Sequence, residues 1–129
     1  MEPLILVIDD DEKVRELITD ILSAFNFRVA LAETSEAGVA AAREERPDVV
    51  LCDVILPDAV GFDTVRALKD NPTTKDTPVV LMTGFPYMKQ YDEKGLNLVL
   101  LKPFSMACIV ETVREALVKA SAVRLAVAS

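Results

Sequence analysis

The sequence predicts an α/β fold built on a doubly wound, five-stranded parallel sheet. Five short apolar runs alternate with segments in which apolar residues recur every three or four positions, the spacing of amphipathic helices. Nothing resembling a hairpin turn joins two of the runs, a pattern typical of right-handed crossovers with helices on both faces of the sheet. The order 2-1-3-4-5 is the common choice for a chain of this size, and it places a crevice at the C-terminal ends of strands one and three.

The strands are predicted from runs rich in β-branched and other apolar residues. The third run is the most informative, because Val49 to Cys52 indicate a strand buried on both faces that delivers one carboxylate, Asp53, at its end. The predicted strands cover residues 4–8, 27–32, 49–53, 78–82 and 98–101.

Helices are predicted in the intervals between the strands. An apolar stripe formed by Val14, Leu17, Ile18, Ile21, Leu22 and Phe25 indicates the first, with Asn26 as its stop. The second begins at Thr34-Ser35, runs to about Glu45 and should pack closely on the sheet through Ala37, Ala40 and Ala41.

The remaining helices differ in how clearly they are marked. Gly61 permits a turn before a short third helix over residues 62–69, and Ser105 caps a long last helix that runs to about Ala120. Between them, residues 85–97 carry Pro86 early and Gly95 late, so a fourth helix there should be short or mobile.

Composition limits the possible classes of function. A chain of 129 residues with 51% hydrophobic residues predicts one domain over residues 1–129, and its net charge of −7 argues against direct binding of nucleic acid. No apolar run approaches the ~20 residues of a membrane span, so we expect no membrane association and a cytoplasmic location. Cys52 and Cys108 lie in apolar segments, and both are interpreted as small core residues.

Chemically active side chains follow four of the predicted strands. Asp9 and Asp10 come at the end of strand one, Asp53 at the end of strand three, Thr83 at strand four and Lys102 at strand five. The carboxyl ends of parallel strands meet at one edge, where three carboxylates repel one another and need a cation. Hard oxygen ligands in partial coordination suit Mg²⁺, and Lys102 supplies a second positive charge.

An aspartate beside Mg²⁺ and a lysine can act as a nucleophile toward phosphorus, because the cations offset the charge of the incoming phosphoryl oxygens. Thr83 offers a hydroxyl group to one such oxygen. Any one of these acids alone could be a solvated helix cap. Such residues at four strand ends are much harder to explain in that way.

These residues resemble the motifs of the response-regulator receiver domain of two-component signalling. The resemblance covers residues 4 to about 119, which would be the domain core, with residues 120–129 as a helix extension or tail. It implies a flavodoxin-like (βα)5 fold. The motifs are Ile8-Asp9-Asp10-Asp11, Asp53-Val54-Ile55-Leu56-Pro57 with Gly61 downstream, Met82-Thr83-Gly84, and Lys102-Pro103-Phe104.

The resemblance implies a role for each matching position. Asp53 would be the phosphoacceptor, with Thr83 and Lys102 contacting the phosphoryl group. Asp10 would bind Mg²⁺ directly and Asp9 mainly through water, with Asp53 and the backbone carbonyl of Ile55 completing the protein ligands. The Lys102-Pro103 bond would be cis, as X-Pro bonds can be.

The resemblance also implies partners. The phosphodonor would be a histidine kinase or a histidine phosphotransfer protein, and the surface of residues 84–104 would change to regulate a downstream protein or output domain. The face formed by the predicted fourth helix, the fifth strand and the long last helix could bind a partner or a second copy. Its exposed candidates, which a solvated surface also explains, are Lys89, Asp92, Glu93, Lys94, Glu111, Arg114 and Glu115.

Two departures from the family pattern lead to further expectations. The aromatic residue often found on strand five is replaced by Val99, so ordering of residues 84–97, with Phe85 or Tyr87 as the moving aromatic side chain, is expected to carry the signal. The resemblance also implies that Ile55 and Phe85 would flank the path of the attacking water; neither side chain can orient it, so self-dephosphorylation should be slow.

Other functions fit less well. A phosphatase resembling the haloacid dehalogenases needs a second aspartate where this chain has Ile55, and no glycine-rich loop follows strand one to bind a nucleotide. A closer alternative is a receiver fold that serves as an interaction module regardless of phosphorylation.

Overall fold

The computed structural model describes residues 2–84 and 98–128 and confirms the predicted parallel sheet. The strands are all parallel and lie in the order β2-β1-β3-β4-β5. They are β1 (Leu4–Ile8), β2 (Arg28–Ala32), β3 (Val49–Asp53), β4 (Val79–Thr83) and β5 (Leu98–Leu101). The described helices are α1 (Glu12–Ala24), α2 (Ser35–Glu45), α3 (Gly61–Lys69) and α4 (Met106–Ala128).

Side chains of the central strands alternate between two hydrophobic cores, one on each face of the sheet. Val49 and Leu51 of β3 pack on the face covered by α1 and α4, together with Ile18 and Ile109. Val50 and Cys52 pack on the opposite face with residues of α2 and α3. Because β3 is buried on both faces, its C-terminal residue is held at a fixed position in the sheet.

Polar side chains cap three of the described helices, and the caps of α2 and α4 are those that the sequence predicted. Asp11 caps α1 by accepting a hydrogen bond from the Lys13 amide, and Thr34 caps α2 by accepting one from Ala37. The Ser105 hydroxyl accepts a hydrogen bond from the Cys108 amide in the first turn of α4. Each bond satisfies a backbone donor that has no partner within its own helix.

The predicted apolar face of α1 is partly wrong. Ile18, Ile21 and Leu22 are buried, but Leu17 and Phe25 are 47% and 38% exposed. Phe25 lies at the C-terminal cap rather than within the helix, and the Arg114 guanidinium lies 5.8 Å from the centre of its ring. The buried stripe is therefore narrower than the apolar stripe in the sequence.

Two of the three alanines predicted to pack α2 on the sheet do not do so, and Ala41 packs there only in part. Ala37 and Ala40 are exposed and Ala41 is half-buried, whereas Gly38 and Ala42, four residues apart, are buried. A Cβ atom at position 38 would overlap the side chain of Ile8. The close approach of α2 to the sheet therefore depends on a glycine.

Three further expectations can be compared with the structure. Cys52 is buried as predicted, but the interpretation of Cys108 as a core residue is wrong: Cys108 is exposed, because α4 turns Ile109 and Val110 toward the sheet instead. The predicted fourth helix lies outside the described residues. Within the described parts, no helix combines the length and apolar character needed to cross a membrane.

Gly38→Ala should lower the free energy of unfolding. The added methyl group overlaps the fully buried Ile8, and overpacking of this kind costs about 1–3 kcal/mol, which should exceed the ~1 kcal/mol that alanine gains in helix propensity. Urea denaturation measures the change. Ala40→Gly, at an exposed position of α2, measures the effect of helix propensity without any change in core packing. A Gly38→Ala variant as stable as wild type would contradict the packing argument.

Candidate functional site

The strand ends that carry the predicted site residues are aligned at one edge of the sheet. Ile8 of β1 pairs with Cys52, Asp53 pairs with Met82, and Thr83 pairs with Leu101. Asp9 and Lys102 each follow directly after their strands. The parallel register therefore brings residues separated by up to 93 positions in sequence to the same place.

Lys102 lies between two of the carboxylates. Its Nζ donates to Asp53 Oδ2 at 2.9 Å and to Asp9 Oδ2 at 3.1 Å. The lysine side chain is 27% exposed, the Asp53 side chain 13% and the Asp9 side chain 0%. Both ion pairs are partly shielded from water, so they are stronger than pairs on an open surface.

Asp9 is the fully buried member of the group. Its Oδ1 accepts a hydrogen bond from the Asp11 amide at 2.9 Å, and its backbone carbonyl accepts one from Arg15 Nη1 at 2.8 Å. Burial raises the pKa of Asp9, and the nearby charge of Asp53 adds to this, outweighing the opposite effects of the Asp11 amide and Lys102. A buried carboxylate beside a second one is a site that favours additional positive charge.

The pKa of Lys102 is shifted in the direction that keeps it charged. Burial by itself lowers the pKa of this ammonium group, but the hydrogen bonds and charges of Asp53 and Asp9 outweigh that effect and raise it. Lys102 therefore provides a fixed positive charge at the edge of the sheet.

The carboxylates of Asp9, Asp10 and Asp53 each place an oxygen within 4.8 Å of the others. Asp10 is exposed, so one side of this group faces solvent. Two oxygens bound to the same Mg²⁺ lie up to about 4.2 Å apart, so the three carboxylates need only small side-chain movements to hold one small divalent ion that retains some of its waters. The donor set, all oxygen and all anionic, fits Mg²⁺ rather than a softer metal.

The loop between β3 and α3 folds back beside Asp53. The Ile55 amide donates to Asp53 Oδ1 at 3.2 Å, and Ile55 and Val60 form an isolated antiparallel bridge. A Cβ atom at Gly61 would lie 2.7 Å from the Asp53 carbonyl oxygen. Gly61 was predicted for its backbone freedom; the structure instead shows that the close approach to β3 requires it.

Thr83 is the last residue of β4 and is buried. Its carbonyl accepts a hydrogen bond from the Lys102 amide at 2.7 Å, which holds the ends of β4 and β5 together. The Lys102-Pro103 bond is cis, as expected. All of the residues predicted for the site therefore lie at this edge, with Ile55 in the adjoining loop.

Several residues around the site were not found from the sequence. Arg15 contacts the Asp9 carbonyl and pairs with Glu33 at 3.3 Å. Asp58 accepts hydrogen bonds from the start of α2. The contacts with Glu33 and with the start of α2 span 18 to 23 positions, and the contact with Asp9 spans six, which is no helix or strand spacing. No local pattern could therefore have shown them.

The predicted signalling segment is mostly beyond what the structure describes. Phe85 and Tyr87 lie outside the described residues, as do the charged candidates between residues 89 and 94. Val99 lies on β5 and is half-buried, paired with Leu81. Of the proposed partner face, Glu111, Arg114 and Glu115 are exposed on α4.

Comparison with known proteins gives a consistent result. The family model described as "Response regulator receiver domain" matches residues 5–114. The response regulator PleD of Caulobacter vibrioides is 37% identical over 117 residues, which is 88% of this chain but 26% of PleD. The polar-differentiation response regulator DivK of Brucella anthropi is 28% identical over 118 residues, covering 88% of this chain and 95% of DivK.

A solved structure supports the same fold. The receiver domain of the sensor histidine kinase PA1611 from Pseudomonas aeruginosa PAO1 superimposes with a TM-score of 0.80, at 22% identity, over 91% of this chain and 98% of that domain. That structure has a magnesium ion coordinated in its active site cleft.

The raised pKa of Asp9 predicts a pH effect on stability in metal-free protein. Because its folded-state pKa lies above 3.8, the folded protein holds this proton more tightly than the unfolded chain does. The resulting stabilisation is complete below pH 3.8 and is lost as the pH rises through the raised pKa. Asp9→Asn removes this titrating group, so only wild type loses the stabilisation as the pH rises. The free energy of unfolding of the variant minus that of wild type should therefore increase with pH across that window.

Urea denaturation in EDTA at several pH values measures this difference. Asp20→Asn, at an exposed position of α1, corrects for the general effect of removing one negative charge from an acidic chain. A corrected difference that stays constant or decreases with pH would contradict the assignment.

Proposed function

Because the chain belongs to the response regulator receiver domain family, we propose that it is a phosphorylation-activated signalling switch in which Asp53 is the phosphoacceptor. The observation that carries the proposal is the placement of Lys102 Nζ within 3.1 Å of both Asp53 and Asp9, with the Asp10 carboxylate close by. This edge of the sheet combines one candidate nucleophile with the charges that a phosphoryl group requires.

The proposal assigns the metal ligands as follows. Asp10 and Asp53 bind Mg²⁺ through their carboxylates, Asp9 acts mainly through water, and the Ile55 backbone carbonyl is the remaining protein ligand. When bound, Mg²⁺ offsets the negative charge of the incoming phosphoryl oxygens. The magnesium ion in the PA1611 receiver domain supports this choice of metal.

Phosphoryl transfer then requires Asp53 as the attacking group. A carboxylate oxygen of Asp53 attacks phosphorus while the bond from phosphorus to the donor nitrogen of a phosphohistidine breaks, and that nitrogen keeps the electron pair. In this scheme Lys102 exchanges its contact with Asp53 for one with a phosphoryl oxygen. The Thr83 hydroxyl contacts another phosphoryl oxygen.

The scheme makes the chain a signalling module rather than an enzyme with an external substrate: it promotes only its own phosphorylation and its slow dephosphorylation. Its donor would be a histidine kinase or a histidine phosphotransfer protein in the cytoplasm. Its signal would pass through the surface of residues 84–104 to a downstream protein or output domain, and the same face would serve a homodimer. We assign residues 1–129 to one receiver domain, and α4 extends through residues 120–128.

The second candidate function is a receiver fold that binds a partner without being phosphorylated. It would not require a nucleophile, a lysine and two further carboxylates to meet at one edge, whereas the phosphoacceptor function requires all of them. The phosphoacceptor function is therefore the better supported of the two.

Asp53→Asn should abolish phosphorylation, because the amide lacks the nucleophilic carboxylate. Radiolabelled acetyl phosphate with Mg²⁺ should label wild-type protein, and the label should be sensitive to hydroxylamine, as an acyl phosphate is. Asp70→Asn, at an exposed position at the end of α3, is the matched control and should be labelled like wild type. Equal labelling of the Asp53→Asn variant would exclude Asp53 as the acceptor, and an unlabelled wild type would favour the interaction module.

Mg²⁺ should stabilise the folded protein, and Asp10→Asn should weaken that effect. A ligand that binds only the folded state at 100 times its Kd adds about 2.7 kcal/mol, so the Tm of wild type should rise with Mg²⁺ concentration. Asp10 is exposed, so its replacement should change the metal-free Tm little while shifting the Mg²⁺ titration to higher concentration. Asp20→Asn is the control, and identical titrations for the two variants would remove Asp10 from the ligand set.

A further inference from the structure

We propose that Asp58 is a positioning residue: it attaches the loop after Asp53 to the N-terminus of helix α2 and thereby holds the Ile55 carbonyl in place for the metal ion. The inference rests on the Mg²⁺ site of the proposed function. It concerns a residue that contacts neither the metal nor the phosphoryl group, and it acts through the backbone of its loop.

Asp58 accepts two hydrogen bonds from α2. Its Oδ1 accepts from the Ser35 amide at 2.8 Å, and its Oδ2 accepts from the Glu36 amide at 3.0 Å. These amides are among the first N–H groups of the helix, which have no partners within it. The positive end of the helix dipole also favours a carboxylate there.

The two bonds affect the acidity of Asp58. Hydrogen bonds from the Ser35 and Glu36 amides hold the pKa of Asp58 below its ordinary value. The side chain is thus a carboxylate at neutral pH, the form that can accept both bonds.

The other hydrogen bonds of the loop act locally. The Leu56 amide donates to the Ala59 carbonyl at 3.0 Å, and Ile55 pairs with Val60 across the loop. These contacts fix the shape of residues 55–60. Within the described parts of the chain, only Asp58 among these residues forms hydrogen bonds to an element other than the adjoining β3 and α3.

The N-terminus of α2 is a firm support for this attachment. Ser35, the first residue of α2, is buried, and its hydroxyl lies 2.6 Å from the hydroxyl of the fully buried Thr64 on α3. The backbone of Ser35 therefore binds Asp58 while its side chain is fixed to the next helix. Leu56, buried in the core beneath the loop, provides a separate constraint.

These contacts allow Asp58 to affect metal binding from a distance. Ile55 lies three residues before Asp58, and the intervening turn is closed by the Leu56–Ala59 hydrogen bond. The start of the loop is held separately, because the Val54 amide donates to the Met82 carbonyl of β4 at 3.0 Å. If the Asp58 attachment is lost, residues 55–60 can still pivot about that point. That movement displaces the Ile55 carbonyl and weakens the hydrogen bond from the Ile55 amide to Asp53 Oδ1, while the sheet keeps the backbone of β1 and β3 in place.

The test compares three variants. Asp58→Ala removes both hydrogen bonds, and Asp58→Asn keeps one acceptor and so should retain part of the attachment. Thr34→Ala is the matched control, because the Thr34 hydroxyl caps the same helix end through the Ala37 amide but does not contact the loop. Isothermal titration with MgCl₂ gives the Mg²⁺ affinity of the folded protein, and amide exchange in EDTA reports on the loop without metal.

We expect Asp58→Ala to weaken Mg²⁺ binding by roughly tenfold, the lower end of the effect of residues that orient metal ligands. Asp58→Asn should be weakened less. Thr34→Ala should lower the Tm but leave the Mg²⁺ affinity unchanged. In EDTA, the Leu56 amide should exchange faster in Asp58→Ala than in wild type or Thr34→Ala.

Two results would overturn the inference: an Asp58→Ala affinity equal to that of wild type, or an equal loss of affinity in Thr34→Ala, which would assign the effect to the helix end alone. Wild-type protein that fails to bind Mg²⁺ would instead count against the proposed function. In that case the exchange of the Leu56 amide in EDTA still decides whether Asp58 holds the loop.

Discussion

The ammonium group of Lys102 between two carboxylates is the contact on which the rest of the site depends. Asp9 and Asp53 are held at the same edge by a parallel sheet that is buried on both faces, so they cannot move apart to relieve their repulsion. A cation must lie between them, and β5 supplies one through Lys102. The proposed metal ion would offset the remaining negative charge of the carboxylates, and the proposed phosphoryl group would bring new negative charge toward the metal ion and Lys102. The charges of the protein itself are fixed in position by the sheet.

Most of the fold follows from the sequence because its strands are short, apolar and separated by clear helix signals. The errors came from the helix faces. The stripe on α1 included Leu17, and alanines were assigned to the face of α2 that Gly38 and Ala42 occupy. Periodicity locates an apolar face to within about one residue in either direction. It does not show how closely the helix approaches the sheet, which here depends on the contact between Gly38 and Ile8.

The site residues were predictable for a different reason. Each lies at or next to the C-terminal end of a strand, and a parallel sheet places those ends side by side. Residues that follow the predicted strands are therefore predicted to be neighbours in space. The supporting contacts of Arg15 and Asp58 do not follow that rule, because Arg15 lies on α1 and Asp58 lies in the loop before α3 rather than at a strand end. A hydrogen bond between a side chain and a backbone group of another part of the chain leaves no spacing pattern in a single sequence.

The two cysteines have a practical consequence for experiments on this chain. Cys52 is buried beside the Asp53 carbonyl, and burial, only partly offset by a hydrogen bond with Thr64, raises the pKa of its thiol to about 12. Cys108 is exposed in the first turn of α4, a few residues after Lys102. Only the Cys108 thiol is accessible to a maleimide reagent under native conditions. The unmodified sequence therefore offers a single attachment point for a fluorophore or spin label, in the first turn of α4.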